Sequence, residues 1–325
     1  MNLSKSLFAA ATVCLLASCG SQKQPTLQSK NNKTYAEISI KDGGKWNGRK
    51  YEGGTFKNVE SLNVPANHTD HSWYIRYEGP GWESNKVGYR LYLDWRNAID
   101  IYGKLTDTLV LPQVGQDGFD SYHNMSNWGA DILKVAKGMG VGSIGRIINN
   151  EMYHFKEVEA TQARVANYKD KSEVTVNYTG WKTNNQKTNL ESNLTIFPDE
   201  RYTKHTIQSS EALDGICTGI VKLNNLSVIE KLSENKKWGY IATYGEQTLF
   251  KDNLGMAVFY EVETAEKPFE GPHDHLIQFK PSKNKITFYF LGAWEKEPNG
   301  IKNKEEFIRY LDANLNKLNQ NNELK

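Results

Sequence analysis

Arg76–Lys104 reads RYEGPGWESNKVGYRLYLDWRNAIDIYGK. In its second half Tyr89, Leu91, Leu93 and Trp95 are apolar, and Arg90, Tyr92, Asp94 and Arg96 fall between them. Period two marks a strand with one buried face. Just upstream, Trp73, Ile75 and Tyr77 alternate with Tyr74, Arg76 and Glu78, and Gly79-Pro80-Gly81 breaks the run. The region therefore predicts two strands joined by a loop. Their polar face gathers Arg76, Glu78, Arg90, Tyr92, Asp94 and Arg96, more charge than a core accepts unpaired. That face is either solvated and crossed by ion pairs, or the concave floor of a site for an anionic, hydroxyl-rich ligand.

Beyond this segment the β signal continues. After about residue 150 the chain is a series of strand-like runs with Asn, Gly, Asp and Pro between them: 173–178, 188–197, 201–209, 215–223, 238–244, 255–262, 275–279 and 285–291. No helical pattern separates successive runs, which argues against a parallel α/β sheet and for antiparallel sheets stacked as a sandwich. Leu105 to Leu111 also reads as β. A short helix is expected over Ile132, Val135, Ala136 and Met139, and a longer one from Lys304 to about Leu318. Asn303 caps the latter, with Glu306 three residues on. The fold class is thus mainly all-β, a large antiparallel sandwich with a few short helices and a C-terminal helix.

The chain has 325 residues, 38% of them hydrophobic, enough for a large core. Its net charge of +2 supplies no global field toward nucleic acid. At the N-terminus, Lys5 precedes an apolar stretch from Leu7 to Leu16 and then Leu16-Ala17-Ser18-Cys19-Gly20. This resembles a bacterial lipoprotein signal peptide, the apolar run being too short to span a bilayer. Residues 1–18 are then the signal, Cys19 the lipidated residue that anchors the protein to the membrane, 19–34 a polar tether and 35–325 one catalytic sandwich domain. No acidic pair follows Cys19, so the anchored protein is expected to face the periplasm. Cys217 is left as a lone thiol in a strand-like run, read as buried and inert.

The chemistry-bearing residues are scattered. The turn-rich stretch DGFDSYHNMSNWGAD, 117–131, holds Phe119, Tyr122, His123 and Trp128, an unusual density of rings for a loop. His123 is the preferred proton-transfer residue because it titrates near neutrality and lies outside a strand interior. Gly271-Pro272-His273-Asp274-His275 puts His273 and His275 on one face of a strand. They suit an acid and its neighbour or two metal ligands. No third ligand is given by spacing, so no metal site is assigned; no cofactor is required, and a divalent cation stays open. His68-Thr69-Asp70-His71 is a second pair that sequence leaves unplaced. Trp82, Trp128 and Trp294 lie beside glycines or charged loop residues and suit stacking on sugars. Gly140 to Gly145 matches GxGxxG but lacks the strand-turn-helix setting of a nucleotide site.

Four segments, YEGPGWESNKVGYRLYLDWRNAIDIYGK, DGFDSYHNMSNWGADILKV, GPHDHLI and ITFYFLGAWEKEPNGI, resemble a secreted bacterial family defined by a domain of unknown function, DUF4861. The similarity runs from about residue 60 to residue 310. The family's members are similar to proteins encoded among polysaccharide-degradation enzymes, including an ulvan oligosaccharide dehydratase. The resemblance implies a β-sandwich, with a galactose-mutarotase-like supersandwich as its expected form. It also implies removal of water from a uronic acid (GlcA or IdoA) at the non-reducing end of an oligosaccharide, giving a 4,5-unsaturated sugar. That chemistry needs a base for the C5 proton, an acid for the departing 4-hydroxyl and a cation for the carboxylate. His123 and His275 are the candidates for base and acid, with Tyr122 able to replace either. Arg76, Arg90 or Arg96 would take the carboxylate of the anionic oligosaccharide, with Tyr92, Trp82, Trp128, His273 and Trp294 as further substrate contacts. A polysaccharide lyase, or a carbohydrate-binding lipoprotein without catalysis, remains compatible with the same residues.

Overall fold

The computed structural model describes residues 32–325. The signal segment 1–18, Cys19 and the tether through residue 31 lie outside the described residues. Among the described residues no helix is long and apolar enough to cross a membrane.

The described residues form three antiparallel sheets. A six-stranded sheet runs in the order Lys50–Val59, Thr34–Asn47, Gly81–Ser84, Val87–Leu91, Ile99–Lys104, Gly129–Asp131. A nine-stranded sheet runs Ile229–Leu232, Trp238–Glu246, Asn253–Glu261, Ile286–Trp294, Tyr202–Ser209, Gln186–Ile196, Ser172–Thr183, Ala160–Asn167, Ser61–Asn63. The third holds Phe269–Glu270, Asp274–Gln278, Ile216–Val221, Gly145–Ile148 and Glu151–Tyr153.

The strand Ile286–Trp294 shows why the sheets stack as they do. Phe288, Phe290 and Trp294 enter one core with Trp82, Tyr89 and Ile101 of the six-stranded sheet and Ile220 and Ile277 of the five-stranded one. Tyr289, Leu291 and Ala293, on the opposite pleat face, enter a second core with Phe307, Leu311, Leu315 and Leu318 of the C-terminal helix. Both faces are buried, which accounts for the near-continuous apolar run. The helix spans Lys304–Asn321, with Asn303 accepting from the Glu306 N–H at 2.9 Å. The Glu306 carboxylate accepts from the Lys302 N–H at 2.9 Å, one residue outside the expected box.

The expected strands beyond residue 170 are all present, but local expectations elsewhere give way. The stretch 71–78 forms no strand beyond an isolated antiparallel bridge of Ile75 to Ile40: His71, Trp73 and Glu78 all have positive φ, at 59°, 53° and 70°. The stretch Leu105–Leu111 pairs with no strand, because the buried Glu83 carboxylate accepts the Val110 and Leu111 N–H groups at 2.8 Å. No helix forms over 132–139. Its backbone is bonded to neighbouring elements instead, Ile132 N–H to Ile101 O at 3.0 Å and Met139 N–H to Asp274 Oδ1 at 2.8 Å. The glycines that follow serve close packing: a Cβ on Gly140 would lie 1.8 Å from Ile99 O, and one on Gly142 would lie 2.1 Å from the Phe290 ring.

Asp274 is the pin of that loop. Burial raises its pKa to about 7. A raised carboxyl contributes stability that is complete below its unfolded value and is lost as pH rises through the folded one. Urea unfolding should therefore show stability falling between about pH 4 and pH 7. Asp274→Asn, which keeps the acceptor for Met139, should make the fall shallower, leaving the part carried by the other raised carboxyls, among them Glu297, also raised to about 7 by burial.

Candidate functional site

The charged face legible in Arg76–Lys104 is neither solvated nor an open floor. Arg90 is fully enclosed, and its guanidinium donates to Asp100 Oδ2 at 2.9 Å, to Asp131 Oδ2 at 2.7 Å and to the Tyr92 hydroxyl. Arg76 is buried against Glu37, which also accepts from Tyr77 and Asn58, both at 2.8 Å. Arg96, slightly exposed, is held by Asp94 and by Glu78 Oε1 at 3.0 Å and lies 3.7 Å over the Tyr92 ring. The roles expected of Arg76 and Arg90 as carboxylate clamps are therefore corrected. Buried guanidiniums must be matched inside the protein, and theirs are already committed to internal carboxylates.

His123 sits over this network. Its imidazole is partly exposed, with Nδ1 3.3 Å from Asp131 Oδ2 and Nε2 3.9 Å from Asp120 Oδ1. Burial and then the nearby Arg90 lower its pKa, favouring the neutral ring. Behind it, burial and then the neighbouring Asp100 raise the pKa of Asp131 well above the ordinary range. Tyr122 is buried below, donating to Asp120 at 2.9 Å, and burial keeps its phenol protonated.

His71 also lies near Asp120. Its Nε2 lies 4.0 Å from Asp120 Oδ2, so one carboxylate stands between the two imidazoles. His71 Nδ1 faces Asp70 at 3.5 Å and Glu78 at 4.0 Å, while its backbone N–H is held by Glu78 at 2.7 Å. Asp120 itself has φ of +59°. Left-handed conformations in non-glycine residues are uncommon, and here His71, Trp73, Glu78 and Asp120 share one site.

Beside His71 opens a cleft of about 440 Å³ lined by Lys41, Lys50, Tyr51, Trp73 and Phe119. The Phe119 ring packs on His71 and Trp73 with centroids 5.5 and 5.7 Å away. Lys41 is nearly buried, its ammonium 3.4 Å over the Trp73 ring. Among the described residues it makes no ion pair, and burial lowers its pKa. Lys41 is thus a cation held against an aromatic wall rather than by an internal carboxylate.

The other expected residues lie elsewhere. His275 is buried on the five-stranded sheet with Nδ1 2.7 Å from Glu270, and shares no partner with His123. His273 is exposed and outside the strand, near His154. Trp82 and Trp294 are core residues: Trp82 stacks on Tyr89 and donates to Thr203 Oγ1 at 2.9 Å, and Trp294 packs on Gly103. Trp128 is buried edge-on against Tyr102. None of the three tryptophans presents a free face to a sugar. Cys217 is buried and burial raises its thiol pKa, in line with an inert residue. Among the described residues no group of three or more His, Cys, Asp or Glu is arranged to hold a metal ion.

A family model described as a domain of unknown function, DUF4861, matches residues 17–323. The chain belongs to the DUF4861 family. A search of curated proteins gave no match to this DUF4861 member. Among solved structures it is remotely similar to a protein provisionally described as a kojibiose phosphorylase from the human microbiome, at 11% identity and TM-score 0.41, over 73% of this chain and 32% of that one. The chain thus spans about a third of that protein's length. A second, provisionally described as an aldose 1-epimerase from Klebsiella pneumoniae subsp. pneumoniae MGH 78578, gives 7% identity and TM-score 0.37, over 87% of this chain and 95% of that one.

Replacing Arg90 by methionine leaves Asp100 and Asp131 buried without their cation. The variant should lose about 3–5 kcal/mol of stability, the usual effect of breaking a buried pair from one side, read by urea unfolding. A variant of unchanged stability would show that the network is not structural.

Proposed function

We infer that this protein is a carbohydrate-active dehydratase. It removes water across C4 and C5 of a uronic acid at the non-reducing end of an oligosaccharide, such as an ulvan fragment. The observation that carries the reading is the pair His71 and His123, 4.0 and 3.9 Å from the two oxygens of Asp120, beside a cleft with aromatic walls and a lysine without an ion-pair partner among the described residues. The reaction breaks C5–H and C4–O, forms the C4=C5 double bond, and passes a proton to the departing hydroxyl so that it leaves as water.

His123 suits the base, since its surroundings favour the neutral ring. His71, whose ring nitrogens lie 3.5–4.0 Å from Asp70, Glu78 and Asp120, suits the donor to the 4-oxygen. Lys41 takes the role first given to the arginines and neutralises the uronate carboxylate, so that charge developing at C5 is tolerated. Trp73 and Phe119 offer apolar surface to the sugar ring. Anchored through Cys19, the protein would meet imported oligosaccharides in the periplasm; rapid loss on protease shaving of intact cells would place it outside.

Purified protein incubated with saturated uronate-ended oligosaccharides should generate ultraviolet absorbance with loss of one water and no shortening of the chain. Shortening would instead indicate a polysaccharide lyase, and binding without change a binding module. His123→Ala and His71→Ala should each lower turnover by at least about a hundredfold. Because the base works only unprotonated, the acid limb of the activity profile should fall below the ordinary histidine value of about 6.5. A limb above it that persists in His123→Ala would remove His123 from that role.

A further inference from the structure

Trp95 is the one place where the alternation of Tyr89, Leu91, Leu93 and Trp95 ends in solvent. The strand stops at Leu91, the Tyr92 N–H bonds back to Ala98 O at 3.0 Å, and the turn so closed carries Trp95 out of the sheet, 38% exposed. A tryptophan there is held, not loose. Its ring meets His154 edge-on at 5.8 Å, and His154 Nδ1 is 3.2 Å from Arg96 O.

Its free surface lines a second cleft, of about 790 Å³, with Asn63, Thr69, Lys156, Asn177 and Thr179 among the walls. Lys156 stands 5.6 Å from the Trp95 ring centroid, and among the described residues no carboxylate pairs with it. The other acids of the cleft are occupied: Asp94 by Arg96, and Glu159 by Lys187 at 2.6 Å. An exposed indole, a free cation and a rim of amides and hydroxyls together match a sugar ring that bears an anionic group.

The cleft neighbours the site already described across residues 68–73. His68 and Thr69 line its near wall, while His71, Ser72 and Trp73 line the cleft that holds Lys41, so residues 68–73 form a partition between the two. We propose that the Trp95 cleft is a subsite for a further sugar residue of the same anionic oligosaccharide, on the reducing side of the uronate held beside His71. This rests on the dehydratase reading for the direction of the chain, though the binding surface itself does not.

Activity and calorimetric binding are measured on the full chain with uronate-ended di-, tri- and tetrasaccharides, for wild type, Trp95→Ala, Trp95→Phe and Lys156→Met. Trp95 is a surface ring in a turn, and thermal unfolding of each variant separates misfolding from lost contact. The expected result is that wild type gains in kcat/KM with length and that Trp95→Ala loses roughly tenfold on the longer substrates. The disaccharide should be unaffected, Trp95→Phe should recover most of the loss, and Lys156→Met should weaken the salt dependence of binding. Equal kcat/KM for wild type and Trp95→Ala at every length overturns the subsite while leaving the dehydratase reading intact. Absence of turnover with tetrasaccharide binding that Trp95→Ala weakens does the reverse, and absence of both binding and turnover in wild type removes both.

Discussion

Arg90 has no water to turn to, and much of the site follows from that. A fully enclosed guanidinium must find its counter-charge inside the protein. It finds Asp100 opposite it on the adjacent strand and Asp131 one strand further, where Tyr102 pairs with Asp131. The Tyr92, Tyr102 and Tyr122 rings lie around the same guanidinium, at 4.3, 5.8 and 4.8 Å. Two buried carboxylates so close cannot both ionise freely, and Asp131 is the one pushed up. The result is a rigid polar block that ties the end of the six-stranded sheet to the loop 117–128. It sets His123 on top, with Arg90 beneath to discourage protonation of the ring.

The same block explains where sequence reading succeeds and where it stops. Ser172–Thr183 and Gln186–Ile196 bury alternate residues against one core while Ile286–Trp294 buries both faces, so the period-two pattern in ITFYFLGAW reports directly which pleat face meets which layer. The C-terminal helix is equally legible, since its apolar spacing and its Asn303 cap are local. Around 71–78 and 92–98 the alternation persists in the letters while the hydrogen-bond ladder ends. Positive φ at His71, Trp73, Glu78 and Asn97 turns the chain out of the sheet, and side-chain pattern alone carries no signal for that.

For the candidate site, His123 drew notice because a dense set of rings in a turn-rich loop is a local feature. His71 was left unplaced. His71 and His123 are separated by 52 positions and meet through Asp120, while His275, which sequence offered instead, is committed to Glu270 on another sheet. Proximity of this kind is set by strand order, and no spacing rule within a single sequence encodes it. The tryptophans misled for a related reason. Glycine neighbours suggested exposure at Trp82 and Trp294, whereas Gly103 is small because the Trp294 ring needs the room: a Cβ there would come within 2.7 Å of it.

The division of labour between the cations is the remaining physical step. An arginine keeps its charge at any accessible pH and forms planar bonds to carboxylates, which suits it to an enclosed network that must never be left unneutralised. Arg76, Arg90 and Arg96 are all used in that way, against Glu37, Glu78, Asp94, Asp100 and Asp131, so carboxylates already outnumber guanidiniums. A further anion placed on that face would meet net repulsion. Lys41 differs on each count. Its compact ammonium is held by an indole face without a carboxylate, so an arriving anion displaces no existing ion pair, and burial that lowers its pKa also strengthens its attraction for that anion. Under the proposed dehydratase reading, the acidic block keeps the uronate's charge off the arginines and directs it to the lysine side of Asp120, which is also the side His71 faces.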